Sequence, residues 1–207
     1  MLYAVMFDIW LRALKDRLLG PFIARANPSV HPNIISIAAL VVGMAVAWLA
    51  YSHHYRAALA AWLLNRALDA CDGTLARVQG KQTDFGGYLD ILLDFIVYAI
   101  IPIGLIASHP TPSVALAGAL LEASFFVNAA SWMYLAAILE RRSLGALATG
   151  EGTTVTMPPG LIAGAETVVF YALFLIFPSH LAPLFAAMGA LVALTVVQRL
   201  VWAATKL

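Results

Sequence analysis

Cysteine is nearly missing from this chain: Cys71 stands alone, so no internal disulfide can form and no metal-binding cysteine spacing exists. Charge is scarce as well. Asp, Glu, Lys and Arg make up 11% of the residues, against about 25% in an ordinary soluble domain. The net charge is +1 and the basic residues are scattered, so the stripe that would mark a nucleic-acid partner is lacking. No polar linker and no internal repeat divides the 207 residues, which leaves 1–207 as a single domain. What is plentiful is apolar: 62% of residues are hydrophobic and the mean hydropathy is +0.88. An ordinary soluble domain is excluded. A membrane span takes about 20 apolar residues, so six would use about 120 positions and leave about 85 for ends and loops.

The expected architecture is an all-α integral membrane protein. Residues 1–22 place Phe7, Trp10, Leu11, Leu14 and Leu18 on one face and Asp8, Arg12, Lys15 and Asp16 mainly on the other, the pattern of a juxtamembrane amphipathic helix lying in the interface. Charges interrupt its apolar run and no small-residue cleavage pattern follows, so a cleaved signal peptide fits poorly. Pro32 opens the first of six transmembrane helices, with Asn33 as a candidate cap. The six-helix core covers 33–206, with spans near 33–52, 54–78, 87–108, 113–139, 160–177 and 184–204. Six spans put both termini on one side. That side carries Arg12, Lys15, Arg17, Arg25, Arg77, Lys81, Arg141, Arg142, Arg199 and Lys206, while the opposite turns carry only Arg56, so the termini are expected to be cytoplasmic.

The informative anomaly is acidic. Five of the 11 acidic residues, Asp69, Asp72, Asp84, Asp90 and Asp94, fall within 26 otherwise hydrophobic residues. A carboxylate inside a span costs roughly 2.5–3.5 kcal/mol on insertion scales, so a group of them calls for a cation, water or ligand. Arg66 and Arg77 could neutralise two. Asp69 and Asp72 are three apart on the second span, and Asp90 and Asp94 four apart on the third, so each pair shares a helix face. At 1.5 Å per residue, Asp69 lies ~12 Å before Arg77 and Asp94 a similar distance after Gly86, which brings the pairs level across the turn. Four oxygen donors converging suit one or two hard divalent cations. Asp84, in the turn, reads as a helix cap. Gly73 and Ala76 on the acidic face, with Gly86 opening the next helix, leave room either for a ligand or for close helix packing.

The full pattern is Asp69-x-x-Asp72-Gly73-x-x-Ala76-Arg77, eight residues, then Gly86-x-x-x-Asp90-x-x-x-Asp94. It resembles the signature of the CDP-alcohol phosphatidyltransferase family at every defined position. The resemblance implies a six-helix membrane enzyme, usually a homodimer, that uses Mg²⁺ or Mn²⁺ to move a phosphate-bearing group from a CDP-linked donor to an alcohol, releasing CMP. It implies Asp69, Asp72 and Asp90 as metal ligands, with Asp94 as the catalytic base and a possible ligand to a second ion. It implies a CDP site made by Asp69, Asp72, Gly73, Ala76, Arg77 and Gly86. Residues 160–167 and 89–95 are similar to a bacterial inner-membrane branch of the family, in which a further glutamate stands at the position of Ala163. That implies an inner-membrane location with the site on the cytoplasmic side.

Asn65 and Arg66 continue the polar face of the second span by one turn. Two roles are open to them: contact with donor or acceptor, or a helix-bridging hydrogen bond and a structural counter-ion. Glu166, like Glu122, is a candidate for the acceptor pocket or for bonding to a neighbouring helix. From Ser143 to Gln198 there is no lysine or arginine, which favours an uncharged or zwitterionic alcohol over a phosphorylated acceptor. The histidines read as interfacial. The leading expectation is transfer of a phosphatidyl group from CDP-diacylglycerol to a small alcohol. The alternatives are a soluble CDP-alcohol donor with a diacylglycerol acceptor, and a divalent-cation transporter lined by the same carboxylates.

Overall fold

The computed structural model describes residues 31–145 and 160–207. The expected amphipathic helix at 1–22 and most of the 140–159 loop lie outside the described residues. Among the described residues six helices occur in order: α1 (Pro32–Tyr51), α2 (Tyr55–Val78), α3 (Asp84–Ser108), α4 (Pro112–Arg141), α5 (Gly164–Ile176) and α6 (Leu181–Lys206), the last preceded by a 3-10 turn at Pro178–His180. There is no strand among the described residues.

Four of these helical stretches, α1, α3, α4 and Pro178–Lys206, are long and apolar enough to cross a bilayer. α5 is apolar but only 13 residues long. It starts at Gly164 rather than near 160 because the preceding residues turn, with the Ile162 amide donating to Thr195 Oγ1 at 2.9 Å. α2 is long, but Asn65, Arg66, Asp69, Asp72 and Arg77 dilute its apolar content. The chain is therefore an integral membrane protein by these four helices.

The helix ends follow local chemistry. At α1 the cap is His31, not Asn33: its Nδ1 accepts from the Asn33 amide at 3.3 Å while Pro32 takes the first helical position. At α3 the cap is Thr83, not Asp84, because the Thr83 backbone is extended and its Oγ1 accepts the Gly86 amide at 3.0 Å. Asp84 falls one residue inside, where a negative charge favours the helix N-terminus. Between α2 and α3 the chain reverses through Gly80 at φ +62°, a backbone region that costs glycine nothing.

The described residues form two compact units, one running to His109 with α1, α2 and α3 and including 175–178, the other comprising 110–145, 160–174 and 179–207. In the first, α1 packs along both α2 and α3. Its buried residues Ser36, Ala39, Gly43, Val46 and Ala50 recur at helical spacing, while Ile34, Ile37, Val41, Met44 and Trp48 face outward as an apolar surface suited to lipid. Small residues set the approach. A Cβ on Gly43 would strike Val97, and one on Gly104 would lie 2.6 Å from the Ala47 carbonyl oxygen. In the second unit α4 packs on α6, and Phe174 meets Phe185 edge-on with centroids 4.8 Å apart.

Candidate functional site

All four motif acids line one cavity in the first unit. Asp69 and Asp72 come from α2, Asp90 and Asp94 from α3, and Ser36, Ala39 and Leu40 of α1 close it together with Asn65, Arg66, Leu93 and Val97. Its volume is about 10 Å³, room for a single water-sized body.

Two buried hydrogen bonds fix α2 on α1. Asn65 Nδ2 donates to the Ala39 carbonyl at 2.7 Å, and Ser36 Oγ donates to Asp72 Oδ2 at 2.6 Å. The first is a helix bridge, one of the two roles open to Asn65, and Asn65 also lines the cavity. Nothing in the sequence singled out Ser36, although a hydroxyl one turn after Pro32 on the buried face of an apolar helix was the available signal.

Arg66 sits at the deep end of the cavity with its side chain 11% exposed. Its Nη2 donates to Asp94 Oδ1 at 2.8 Å and its Nη1 stands 3.5 Å from Asp94 Oδ2. Nη1 also donates to Tyr98 Oη at 2.8 Å and lies 3.6 Å from Asp69 Oδ2. Nε donates to Asn65 Oδ1 at 2.8 Å. The guanidinium carbon is 4.8 Å from the Trp62 ring centroid and 5.2 Å from that of Tyr98. Arg66 is thus a counter-ion to Asp94 and Asp69, a fork-to-carboxylate pairing that lysine could not copy.

Among the described residues, no three acidic, histidine or cysteine side chains stand close enough together to clasp an ion as placed. Arg66 contacts Asp94 and Asp69, and Ser36 donates to Asp72. The donor set still fits a hard divalent cation, being carboxylates with one hydroxyl around a space of ionic size.

The remaining motif residues lie along α2 and at the start of α3. Gly73, Ala76 and Arg77 are half-buried. Among the described residues, a Cβ on Gly73 would meet Arg77 Nη1 at 3.3 Å and nothing else within 4 Å, and Arg77 Nη2 donates to Thr74 Oγ1 at 3.3 Å. A Cβ on Gly86 would come within 3.1 Å of Thr83 Oγ1 and 3.4 Å of Asn33 Oδ1, so the glycine admits the cap that starts α3.

In the second unit Glu166 serves its own helix. Its Oε2 accepts the Ala163 amide at 3.0 Å, as the third residue of α5 often does for the residue before the helix. Arg199, which sequence reading treated only as a positive charge on the termini side, is 5% exposed. Its Nη1 donates to Asn128 Oδ1 at 2.9 Å and stands 3.3 Å from Ser131 Oγ, while its Nε has no hydrogen-bond partner among the described residues.

Comparison with known proteins adds independent weight. The family model described as CDP-alcohol phosphatidyltransferase matches residues 29–201. Inner membrane protein YnjF of Escherichia coli is 35% identical over 177 residues, covering 85% of this chain and 84% of YnjF. Archaetidylinositol phosphate synthase of Aeropyrum pernix is 30% identical over 206 residues, covering 95% of this chain and 96% of that protein. The fold is similar to that of Mycobacterium tuberculosis phosphatidylinositol phosphate synthase (PgsA1). With CDP-DAG bound, that enzyme superposes with TM-score 0.65 at 21% identity, covering 89% of each chain. With manganese and citrate the TM-score is 0.64 at 22% identity, covering 90% of this chain and 87% of the other. This chain belongs to the CDP-alcohol phosphatidyltransferase family.

Proposed function

We propose that the protein transfers a phosphatidyl group from CDP-diacylglycerol to a small alcohol, releasing CMP in phospholipid synthesis. The observation that carries this reading is the lining of one cavity by Asp69, Asp72, Asp90 and Asp94, drawn from two helices that both pack on α1. CDP-DAG bound to the solved relative supports a lipid-linked donor, and outward-facing apolar residues on α1 suit a donor whose acyl chains stay in the bilayer. We read 33–206 as a single membrane domain of six spans, with α2 and α5 joining the four apolar helices, in the inner membrane with termini and site on the cytoplasmic side. A homodimer completes the proposal.

Asp69, Asp72 and Asp90 are the residues that would hold Mg²⁺ or Mn²⁺, and manganese in the solved relative supports the choice of ion. A divalent cation supplies charge neutralisation for the donor's diphosphate and for the departing CMP. The chain's own groups do the rest. Gly73 and Ala76 keep the exposed side of α2 low so that a nucleotide can approach the backbone, and Arg77 stands beside them for the diphosphate. Asp94 accepts the proton of the attacking hydroxyl, in a direction set by Arg66. Burial around Val97, Leu93 and Ala39 keeps bulk water from competing with the alcohol.

The test is CMP release by the purified protein in liposomes, with Mn²⁺ and labelled CDP-diacylglycerol against a panel of inositol, serine, glycerol phosphate and inositol phosphate. Transfer to one acceptor supports the reading. Release only from a soluble CDP-alcohol with diacylglycerol would reverse the lipid's role, and no CMP from either donor would end it.

A further inference from the structure

We propose that His53, His109 and Tyr55 form a transition-metal site remote from the acid cavity, taking an imidazole-preferring dication such as Cu²⁺ or Zn²⁺. Tyr55 stands 14 residues before Asp69 on α2, and His109, at the end of α3, stands 15 after Asp94. At 1.5 Å per residue the two places are ~20 Å apart along the helices. Three donors meet there. His53 Nδ1 lies 2.7 Å from Tyr55 Oη, and His109 Nε2 lies 3.5 Å from the same oxygen. The ring centroids are 5.7 Å apart for the two histidines and 5.9 Å from Tyr55 to each of them.

Counting protons leaves a nitrogen lone pair over. Ser108 Oγ donates its one proton to the Leu105 carbonyl at 2.9 Å, so its 2.9 Å contact with His109 Nδ1 needs the proton on that nitrogen. The neutral His109 ring then carries a bare Nε2. Tyr55 has one hydroxyl proton for two facing nitrogens, and the shorter contact gives it to His53. His109 Nε2 is left facing an oxygen with no proton between them. An imidazole whose other nitrogen donates to a neighbouring oxygen is the usual form of a metal-bound histidine.

The backbone at His53 is a second, independent observation. The His53 amide donates to the Ala50 carbonyl at 3.1 Å and the His54 amide to the Leu49 carbonyl at 2.8 Å, a helix ending whose left-handed position usually falls to glycine. Here histidine takes it, at φ +61°. Helix termination alone would be served better by glycine, and what histidine brings instead is a ring held against Tyr55. No acidic residue occurs in 50–60 or 100–115, and Arg56, the one charged residue in either stretch, is exposed. Two imidazoles and a phenol suit Cu²⁺ or Zn²⁺, not the hard ions that carboxylates take. An ion held by all three would tie the α1–α2 turn to the end of α3.

The experiment uses the full chain in nanodiscs with excess Mg²⁺, which keeps the acid cavity from competing. Cu²⁺ is followed by electron paramagnetic resonance and Zn²⁺ by the thermal melt. The wild type is expected to hold one Cu²⁺ coupled to two nitrogens and to melt higher with Zn²⁺. His53→Gly, which suits the left-handed backbone and so keeps the fold, and His109→Gln should each leave one coupled nitrogen and remove the Zn²⁺ shift. Each should also weaken Cu²⁺ binding by at least the roughly 10-fold that losing even an outer partner of a ligand costs. Tyr55→Phe should keep both nitrogens and bind more weakly, and His54→Gln should bind as the wild type does. Undiminished affinity in His53→Gly or His109→Gln, no Cu²⁺ bound beyond that of empty nanodiscs, or loss of binding in His54→Gln would overturn the proposal.

Discussion

Ser36 donates to Asp72 at 2.6 Å across the α1–α2 contact, and this buried bond joins the helix that opens the fold to the acids of the motif. Its geometry makes α1 part of the site as well as part of the scaffold.

Ser36→Ala should therefore weaken ion binding more than it weakens the fold. A hydrogen bond to a charged group contributes about 1.5–3 kcal/mol, so Mn²⁺ affinity is expected to fall roughly 10-fold or more with a small change in melting midpoint. Calorimetric Mn²⁺ titration alongside a thermal melt in detergent checks both. Unchanged affinity would show that Asp72 needs no support from α1.

Gly104 and Gly43 invite a matched pair of substitutions. In Gly104→Ala the new methyl meets the Ala47 backbone, which cannot turn away, whereas in Gly43→Ala it meets the Val97 side chain, which has other rotamers. Overpacking typically costs about 1–3 kcal/mol. Gly104→Ala is expected at the upper end and Gly43→Ala below it, read as the order of melting midpoints. The reverse order would place the closest α1–α3 approach at Gly43.

Asn128→Ala tests the buried arginine of the second unit. It removes the 2.9 Å bond to Arg199, whose Nε already lacks a partner among the described residues. Leaving a further buried donor unmet costs about 1–3 kcal/mol, so the melting midpoint should drop by several degrees, and Asn128→Asp should recover it by supplying a carboxylate. An unaltered midpoint in Asn128→Ala would mean that Ser131 alone satisfies Nη1.

Much of this was legible in the sequence because acids are so rare in an apolar chain. The spacing of Asp69, Asp72, Asp90 and Asp94 was enough to place them on matching faces, and the family followed from the same residues. Helix starts were legible only to within a few residues. Asn33 and Asp84 have the side chains of caps, yet His31 and Thr83 hold the extended backbone that a cap needs, and shifts of one or two residues depend on φ and ψ rather than composition. That Arg66 could neutralise a motif acid was legible, but which one was not, because Tyr98 and Asp94 arrive from another helix. Arg199 was missed because counting positive charges treats every arginine as solvated, while Asn128 and Ser131, distant in sequence, bury this one. Four spans are legible from length and apolar content alone, while α2 gives up apolar content to carry the acids and α5 is short.

The central claim is that the acid cavity performs phosphoryl transfer from a CDP-linked lipid with Asp94 as base. Its most direct measurement compares wild type and Asp94→Asn in liposomes, recording Mn²⁺-dependent CDP binding and CMP release from CDP-diacylglycerol together. A positioned base is worth about 10²–10⁴-fold, so Asp94→Asn should bind CDP as the wild type does and release CMP slower by that factor. Wild-type turnover in Asp94→Asn, or CDP binding lost along with it, would contradict the assignment.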